Sequence, residues 1–362
     1  MGLSLKRNEL SEEEALELTR KILGVEKPTS INVAGTKDDT ALIPIKAFAS
    51  EEAWSPLGGM GKIPSLYDTA LIFTQDIMTE GVHFKLSFVS PGSALIRCVS
   101  ANLSDVAAMG GVPLGAVVGL ALPRSLATKS CVTELALALK KISKKYKFSI
   151  FGGDLVSAER FTISVAMLGL VEKGRALLRS GAMVGDIVYL SNPLGLSALG
   201  LNLLKSAKKK TISTLREQDY ALVIKAFRSP MPRTELGRAL STLCIASSCI
   251  DLSDSLSKSI LLLAEESRVG FELSFSEKAL HPLVRRFYGK LTEKQFLDLV
   301  LSAEEDFELL FTAKRDRLHA LPPKLKRGIV EIGKVVGADC GLTARFGETK
   351  VPVSLKGFRH FA

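Results

Sequence analysis

Apolar runs of four to six residues recur along this chain, and several of them stop at an aspartate. Asp38 and Asp39 stand in KDDTALI, Asp76 closes LIFTQD, Asp105 closes NLSD and Asp154 closes SIFGGD, while Asp251 and Asp254 stand in CIDLSD. A run of that length reads as a buried strand. Between the runs lie stretches with apolar residues three and four apart, such as Val132, Leu135, Leu139, Ile142 and Tyr146, which read as helices. Strands mixed with helices give an α/β (α+β) class. Residues just past strand ends are where such folds assemble ligand sites. Carboxylates gathered there repel one another unless cations neutralise them, and Mg²⁺ suits carboxylate oxygens together with substrate phosphates. The pattern points to metal-dependent nucleotide chemistry. Each aspartate taken singly also reads as a helix cap or turn former, and Asp254 as the cap of the helix after it.

With 362 residues the chain exceeds one typical domain, and two domains of roughly 150–200 residues are expected, 1–173 and 174–362. No apolar stretch approaches the ~20 residues of a membrane helix, and MGLSLKRNELSEEEALEL lacks the apolar core of a signal peptide. It reads as a helix capped by Ser11, with Glu14 three residues on. A cytoplasmic protein is expected. The five cysteines form no CxxC pair, which argues against a zinc knuckle or a disulfide framework. The net charge of +10 raises the question of nucleic acid. Yet Lys140, Lys141, Lys144, Lys145 and Lys147 line the polar side of one helix without interleaved aromatics, so a solvated face is the reading, with no nucleic-acid partner and no membrane.

Strands are expected over 41–45, 70–74, 115–122, 148–151, 160–171 and 187–190, and another is expected before Asp251. Helices are expected over 93–110, 197–205 and 256–266, and from Arg233 after Pro230 and Pro232. Gly152-Gly153-Asp154 reads as a turn. No Walker A pattern is present, and GGD is too short for a dinucleotide fingerprint.

Taken in order, DDTALIPI, FTQDIMTEGVHF, NLSDVAAMGGVP, FGGD, GRALLRSGAMVGD, LGLSALGL, SPMPR, CIDLSDSL, EEDFELLFT and KGFRHF resemble thiamine-monophosphate kinases. That family belongs to the superfamily of aminoimidazole ribonucleotide synthetase. The resemblance implies a two-domain aminoimidazole ribonucleotide synthetase-like fold: an N-terminal mixed-sheet domain that pairs across a homodimer, and a C-terminal α/β domain. It implies transfer of the γ-phosphoryl of ATP to thiamine monophosphate. It places Asp39, Thr74, Gln75, Asp76, Asp105, Asp154, Asp251 and Asp254 around Mg²⁺, with Asp76, Asp105 and Asp154 as the catalytic carboxylates. Gly153, Asp154, Arg179 and Ser253 would contact ATP, and His83, Glu305 and Phe358 would face the thiamine phosphate. By themselves, Arg179 also reads as a surface arginine and His83 as a structural histidine.

The chain departs from the family pattern at several positions. Lys37, Ser255, Ala303 and Glu304 stand where glycines are usual, and Gln75 stands where threonine is frequent. A lost glycine changes how closely backbone approaches a ligand. The alternatives are another ATP-using enzyme of the superfamily, or a noncatalytic nucleotide- or RNA-binding protein that kept the fold. Selenophosphate synthetase is disfavoured because the first cysteine, Cys98, lies well inside the chain.

Overall fold

A computed structural model describes residues 10–23, 68–205 and 215–357. The expected strand over 41–45, together with Lys37, Asp38, Asp39 and Phe358, lies outside the described residues. The chain divides into two compact units. The first holds residues up to 103 together with 112–173, and the second holds 104–111 together with everything from 174.

In the first unit, helix α1 (Glu12–Leu23) opens with the expected capping box. The Ser11 N–H donates to Glu14 at 2.7 Å, and the Glu14 N–H donates to the Ser11 hydroxyl at 3.2 Å. Strand β1 (Thr69–Thr79), helix α2 (Pro91–Ala108), strand β2 (Val112–Leu122), helix α3 (Lys129–Tyr146) and strands β3 (Ser149–Ser157) and β4 (Thr162–Glu172) follow. The sheet runs β1-β4-β2-β3. In α3, Val132, Leu135, Leu139 and Ile142 are buried, and the expected lysines are exposed. One of them, Lys140, also donates to the Ile22 carbonyl and so ties α3 to α1.

Two strands run further than the apolar runs indicate. β1 continues through Asp76 to Thr79, because every residue from 69 to 79 pairs with β4. Gly152-Gly153-Asp154 is no turn but the middle of β3, paired in parallel with β2. A Cβ on Gly153 would stand 2.2 Å from the Val118 carbonyl oxygen, so glycine is used here for close backbone approach within a strand.

The second unit begins at Gly174 after the 104–111 segment. It contains β5 (Ile187–Leu190), α4 (Leu196–Lys205), α5 (Glu217–Arg228), α6 (Thr234–Thr242) and β6 (Ala246–Asp251). After these come α7 (Leu256–Ser267), β7 (Gly270–Ser274), α8 (Pro282–Tyr288), α9 (Glu293–Leu301), β8 (Leu309–Ala313) and α10 (Pro323–Lys326). β9 (Val330–Val336), β10 (Leu342–Phe346) and β11 (Thr349–Pro352) complete it. Its sheet has seven strands, ordered β11-β10-β7-β9-β5-β8-β6. One face carries a core that includes Val188, Leu199, Ile260, Phe271 and Phe296. A second core gathers Ala107, Tyr189, Leu236, Cys249 and Phe311.

Small residues explain why 104–111 packs with this unit. A Cβ on Gly237 of α6 would sit 2.0 Å from the Ala107 carbonyl oxygen, and one on Gly110 (φ +70°) would sit 2.3 Å from the Ser241 Cβ. Backbone therefore meets backbone, which fixes the helix end that carries Asp105. No helix among the described residues is long and apolar enough to cross a membrane.

Candidate active site

Strand order in the second unit brings three loops to one end of the sheet. β8 lies between β5 and β6 and is antiparallel to both. The chain leaving β5 (191–195), the chain leaving β6 (252–255) and the chain entering β8 (303–308) must therefore meet. Asp251 ends β6 opposite Leu309, as its apolar run indicates. Asp105 sits in the last turn of α2 rather than past a strand end.

Asp105 and Asp251 are brought together. Burial pushes the Asp251 carboxyl well above the usual carboxylate range, and the charge of Asp105 adds to this. The nearby Ser104 and Ser253 hydroxyls act in the opposite sense, and Asp254 adds a smaller upward push. Among the described residues, Oδ2 of Asp251 and Oγ of Ser104 are buried without a hydrogen-bond partner. Buried polar atoms are normally satisfied, so such atoms beside a second carboxylate suit a cation. Asp254 is engaged otherwise: Lys258 pairs with it at 2.7 Å. It is not the helix cap either, because the Ser255 side chain accepts from the Lys258 N–H at 3.3 Å. No group of three or more His, Cys, Asp or Glu side chains among the described residues is arranged to hold a metal.

The other expected residues of this unit lie on the converging loops or the 178–186 turn. Glu305 has a left-handed backbone, φ 58°, and its N–H donates to the Ser253 carbonyl at 3.1 Å. Arg179 is exposed, and the Ser267 hydroxyl donates to its carbonyl at 3.0 Å. Its turn is fixed from below by buried Asp186, which accepts from the Met183 N–H and from the Ser247 hydroxyl. Lys356, two residues before Phe358, is held by Ser257, whose hydroxyl accepts from its N–H at 3.0 Å, and by Asp298.

In the first unit, Thr74 and Asp76 lie on the sheet face that includes buried Ile72 and Met78, and the Cys98 Sγ approaches the Asp76 carbonyl at 3.6 Å. Gln75 points to the opposite, exposed face, where its side chain donates to Ser164. Strand alternation therefore separates Gln75 from its two neighbours. The pairing register places Asp76 in the row Asp76–Val165–Val118–Gly153 and Asp154 in the row Ile77–Ser164–Gly119–Asp154. With strands ~4.8 Å apart, these two carboxylates sit on opposite edges, roughly 14 Å across the sheet. Asp154 is exposed and accepts from the Leu155 N–H. The His83 Nδ1 accepts from the Thr79 N–H at 3.1 Å, so a neutral ring carries its proton on Nε2.

Comparison with known proteins agrees with this architecture. The family described as AIR synthase related protein, N-terminal domain, matches residues 61–171. The thiamine-monophosphate kinase of Buchnera aphidicola subsp. Schizaphis graminum is 30% identical over 93% of this chain and 95% of its own length. That of Bacillus subtilis is 33% identical over 79% and 86%. The chain belongs to the thiamine-monophosphate kinase family. Among solved structures, AaThiL complexed with AMPPCP and TMP matches with a TM-score of 0.67 at 30% identity, over 78% of this chain and 86% of that one. The thiamine-monophosphate kinase from Stenotrophomonas maltophilia K279a gives 0.72 at 26% identity, over 90% and 94%. E. coli HypE shares the fold, with a TM-score of 0.69 at 19% identity.

For a thiamine-monophosphate kinase, the glycine replacements at 255, 303 and 304 prove conformationally ordinary. Ser255 has φ −66°, and neither Ala303 nor Glu304 is among the positive-φ residues. Sequence reasoning passed over Arg233, Asp306 and Glu308, although SPMPR and EEDFEL were both noted. The available signal was the crowding of four acids, Glu304, Glu305, Asp306 and Glu308, into five residues ahead of an apolar strand, where some of them must find partners.

Proposed function

We propose that this chain transfers the γ-phosphoryl group of ATP directly to the phosphate of thiamine monophosphate, giving ADP and thiamine diphosphate. Family membership carries the reaction. The observation in this structure that supports it is the pairing of half-buried Asp105 with buried Asp251 and its unsatisfied oxygen, a donor set suited to Mg²⁺. Asp254 in the same unit, and Asp39, Thr74, Gln75, Asp76 and Asp154 in the first unit, are the other proposed Mg²⁺ ligands; the side chains of Gln75 and Asp154 share the sheet face opposite Thr74 and Asp76. Bound there, Mg²⁺ would supply charge neutralisation between two anionic substrates.

The protein's own groups position the reactants. Arg179 presents an exposed guanidinium suited to bidentate binding of an ATP phosphate. Gly153, whose bare backbone lets β3 close on β2 beside Asp154, and Asp154 itself are assigned to ATP in the first unit, as Ser253 is in the second. His83 donates from Nε2 to the thiamine phosphate, and Glu305 and Phe358 face the same substrate. The acceptor is a phosphate monoester, already largely ionised near neutral pH, so no general base is required. The nitrogen of His83 that carries a lone pair already accepts from Thr79, which disfavours a phosphohistidine route. We place the enzyme in the cytoplasm as a homodimer.

The deciding assay supplies ATP, Mg²⁺ and thiamine monophosphate. ADP and thiamine diphosphate are expected in equal amounts, with loss on chelation and no turnover of free thiamine. Labelled ADP should not exchange into ATP without acceptor. Equal phosphorylation of free thiamine would overturn the acceptor assignment, and acceptor-independent exchange would overturn direct transfer.

A further inference from the structure

The 303–308 loop places two left-handed non-glycine residues, Glu305 (φ 58°) and Phe307 (φ 52°), on either side of Asp306. L-residues persist in that region only where the surroundings over-determine them. Here the determinants are visible. The Glu305 and Phe307 N–H groups donate to the carbonyls of Ser253 and Leu252, the Leu252 N–H donates to Glu308, and the Leu256 N–H donates to Ala303. The phenyl ring of Phe307 is sunk in the interior. The Asp306 carboxylate accepts from the Gly195 N–H at 2.7 Å and the Ser197 N–H at 3.0 Å. Buried Glu308 accepts from the hydroxyl of Ser191 and the amide of Asn192, and both of its oxygens are gripped by Arg233, with Nε to Oε2 at 2.6 Å. Of the loop's four acids, Glu304, Glu305, Asp306 and Glu308, the last two are thus engaged in holding it, and Glu305 is the one that the proposed function turns toward the acceptor.

We infer that Arg233 is a positioning residue for the phosphate acceptor: through its two-point grip on Glu308 it locks the 303–308 loop in the left-handed form that presents Glu305. This rests on the reading above that Glu305 faces thiamine monophosphate. The grip needs the planar fork of arginine, because a lysine ammonium satisfies one carboxylate oxygen at a time. Arg233 stands far from Glu305 in sequence, so its influence on the acceptor travels through the Glu308 carboxylate and the backbone of the loop.

The test compares Arg233→Lys, Glu305→Gln and the double variant in the full-length chain. The readouts are KM for each substrate and calorimetric binding of thiamine monophosphate. Arg233→Lys is expected to weaken thiamine-monophosphate binding and raise its KM about 5- to 20-fold, the size of a coupling of 1–2 kcal/mol. The KM for ATP should stay within about 2-fold. In the Glu305→Gln background the same change should add little. Should Arg233→Lys fold poorly, Glu308→Gln, which keeps acceptors for Ser191 and Asn192, is expected to give the same split. Equal effects on both substrates, or a lowered Tm with unchanged kinetics, would overturn the inference while leaving Glu305 in its role. A Glu305→Gln enzyme with normal acceptor binding would overturn the role of Glu305 itself, and the inference with it.

Discussion

Asp251 shows how a single side chain joins sequence to chemistry. Its strand is short and apolar and ends where the carboxylate begins, so its placement was legible. Its surroundings were not, because Asp105 arrives on a helix end whose docking depends on Gly237 and Ala107. The pair is costly without a counter-ion: burial and the neighbouring charge both disfavour the ionised form of Asp251. Removing one charge should therefore relieve the metal-free protein. Asp251→Asn is expected to raise Tm in the presence of chelator while abolishing most turnover, and a lowered Tm there would contradict the repulsion. Asp76→Asn, Asp105→Asn and Asp154→Asn are each expected to cut turnover at least ~100-fold, the scale of a lost electrostatic group in a site. Near-normal rates in all three, with circular dichroism unchanged, would remove these residues from the site.

At the scale of elements, the loop entering β8 carries the argument. The family's usual glycines are absent at 303 and 304, yet the left-handed backbone falls one and three residues later, at 305 and 307. Ala303 is buried in the core and has ordinary backbone geometry. Ala303→Gly should therefore destabilise the fold by about 1 kcal/mol rather than improve it. A denaturant midpoint that stays constant or rises would refute this. Asp306 adds a pH signature. Burial, with Glu308 and Glu305 nearby, pushes its carboxyl up to about 7, although the Gly195 and Ser197 N–H groups act against the rise. An acid whose pKa is raised on folding contributes stability below its unfolded value, ~4, and loses it as pH climbs through the folded value. The Tm of the wild-type protein relative to Asp306→Asn should fall between pH 4 and 7 and then level off. A difference that stays flat across that range would mean Asp306 titrates as it does in the unfolded chain. Local periodicity located α4, α6, α7, β5 and β6 of this unit, but not β7 or β9 to β11. β7, β9 and β10 are assembled by pairing with segments distant in sequence, and β11 folds back on β10 as a hairpin, rather than by an apolar run of their own. For the same reason Gly152-Gly153 read as a turn: the demand for a bare backbone comes from Val118 on another strand.

On the scale of the whole molecule, the first unit leaves one sheet face open. Leu71, Phe73 and Ile77 project from alternate positions of β1 with 65%, 69% and 53% of their surface exposed. Across the sheet, Val117 of β2 is 46% exposed and falls in the same row as Gln75 and Ala166. A contiguous apolar sheet face is unusual on a monomer and marks an interaction surface. It lies on two of the strands expected from the sequence, 70–74 and 115–122, in the domain that the resemblance pairs across a homodimer. A second copy of this chain offers the same face, and a two-fold axis lets each apolar row meet its own counterpart. Two such faces would bury Phe73 against a sheet rather than against water, at ~25 cal/mol per Å² of apolar area removed from solvent. Phe73→Glu sets two like charges close to that axis and should convert a dimer into a monomer. Its effect on the isolated fold should be small, because the side chain already faces outward. Light scattering over a range of concentrations tests this. The wild type is expected at twice the chain mass, and Phe73→Glu at the chain mass with little change in circular dichroism. A wild type that stays at the chain mass at every concentration would show that this face is covered by something other than a second copy.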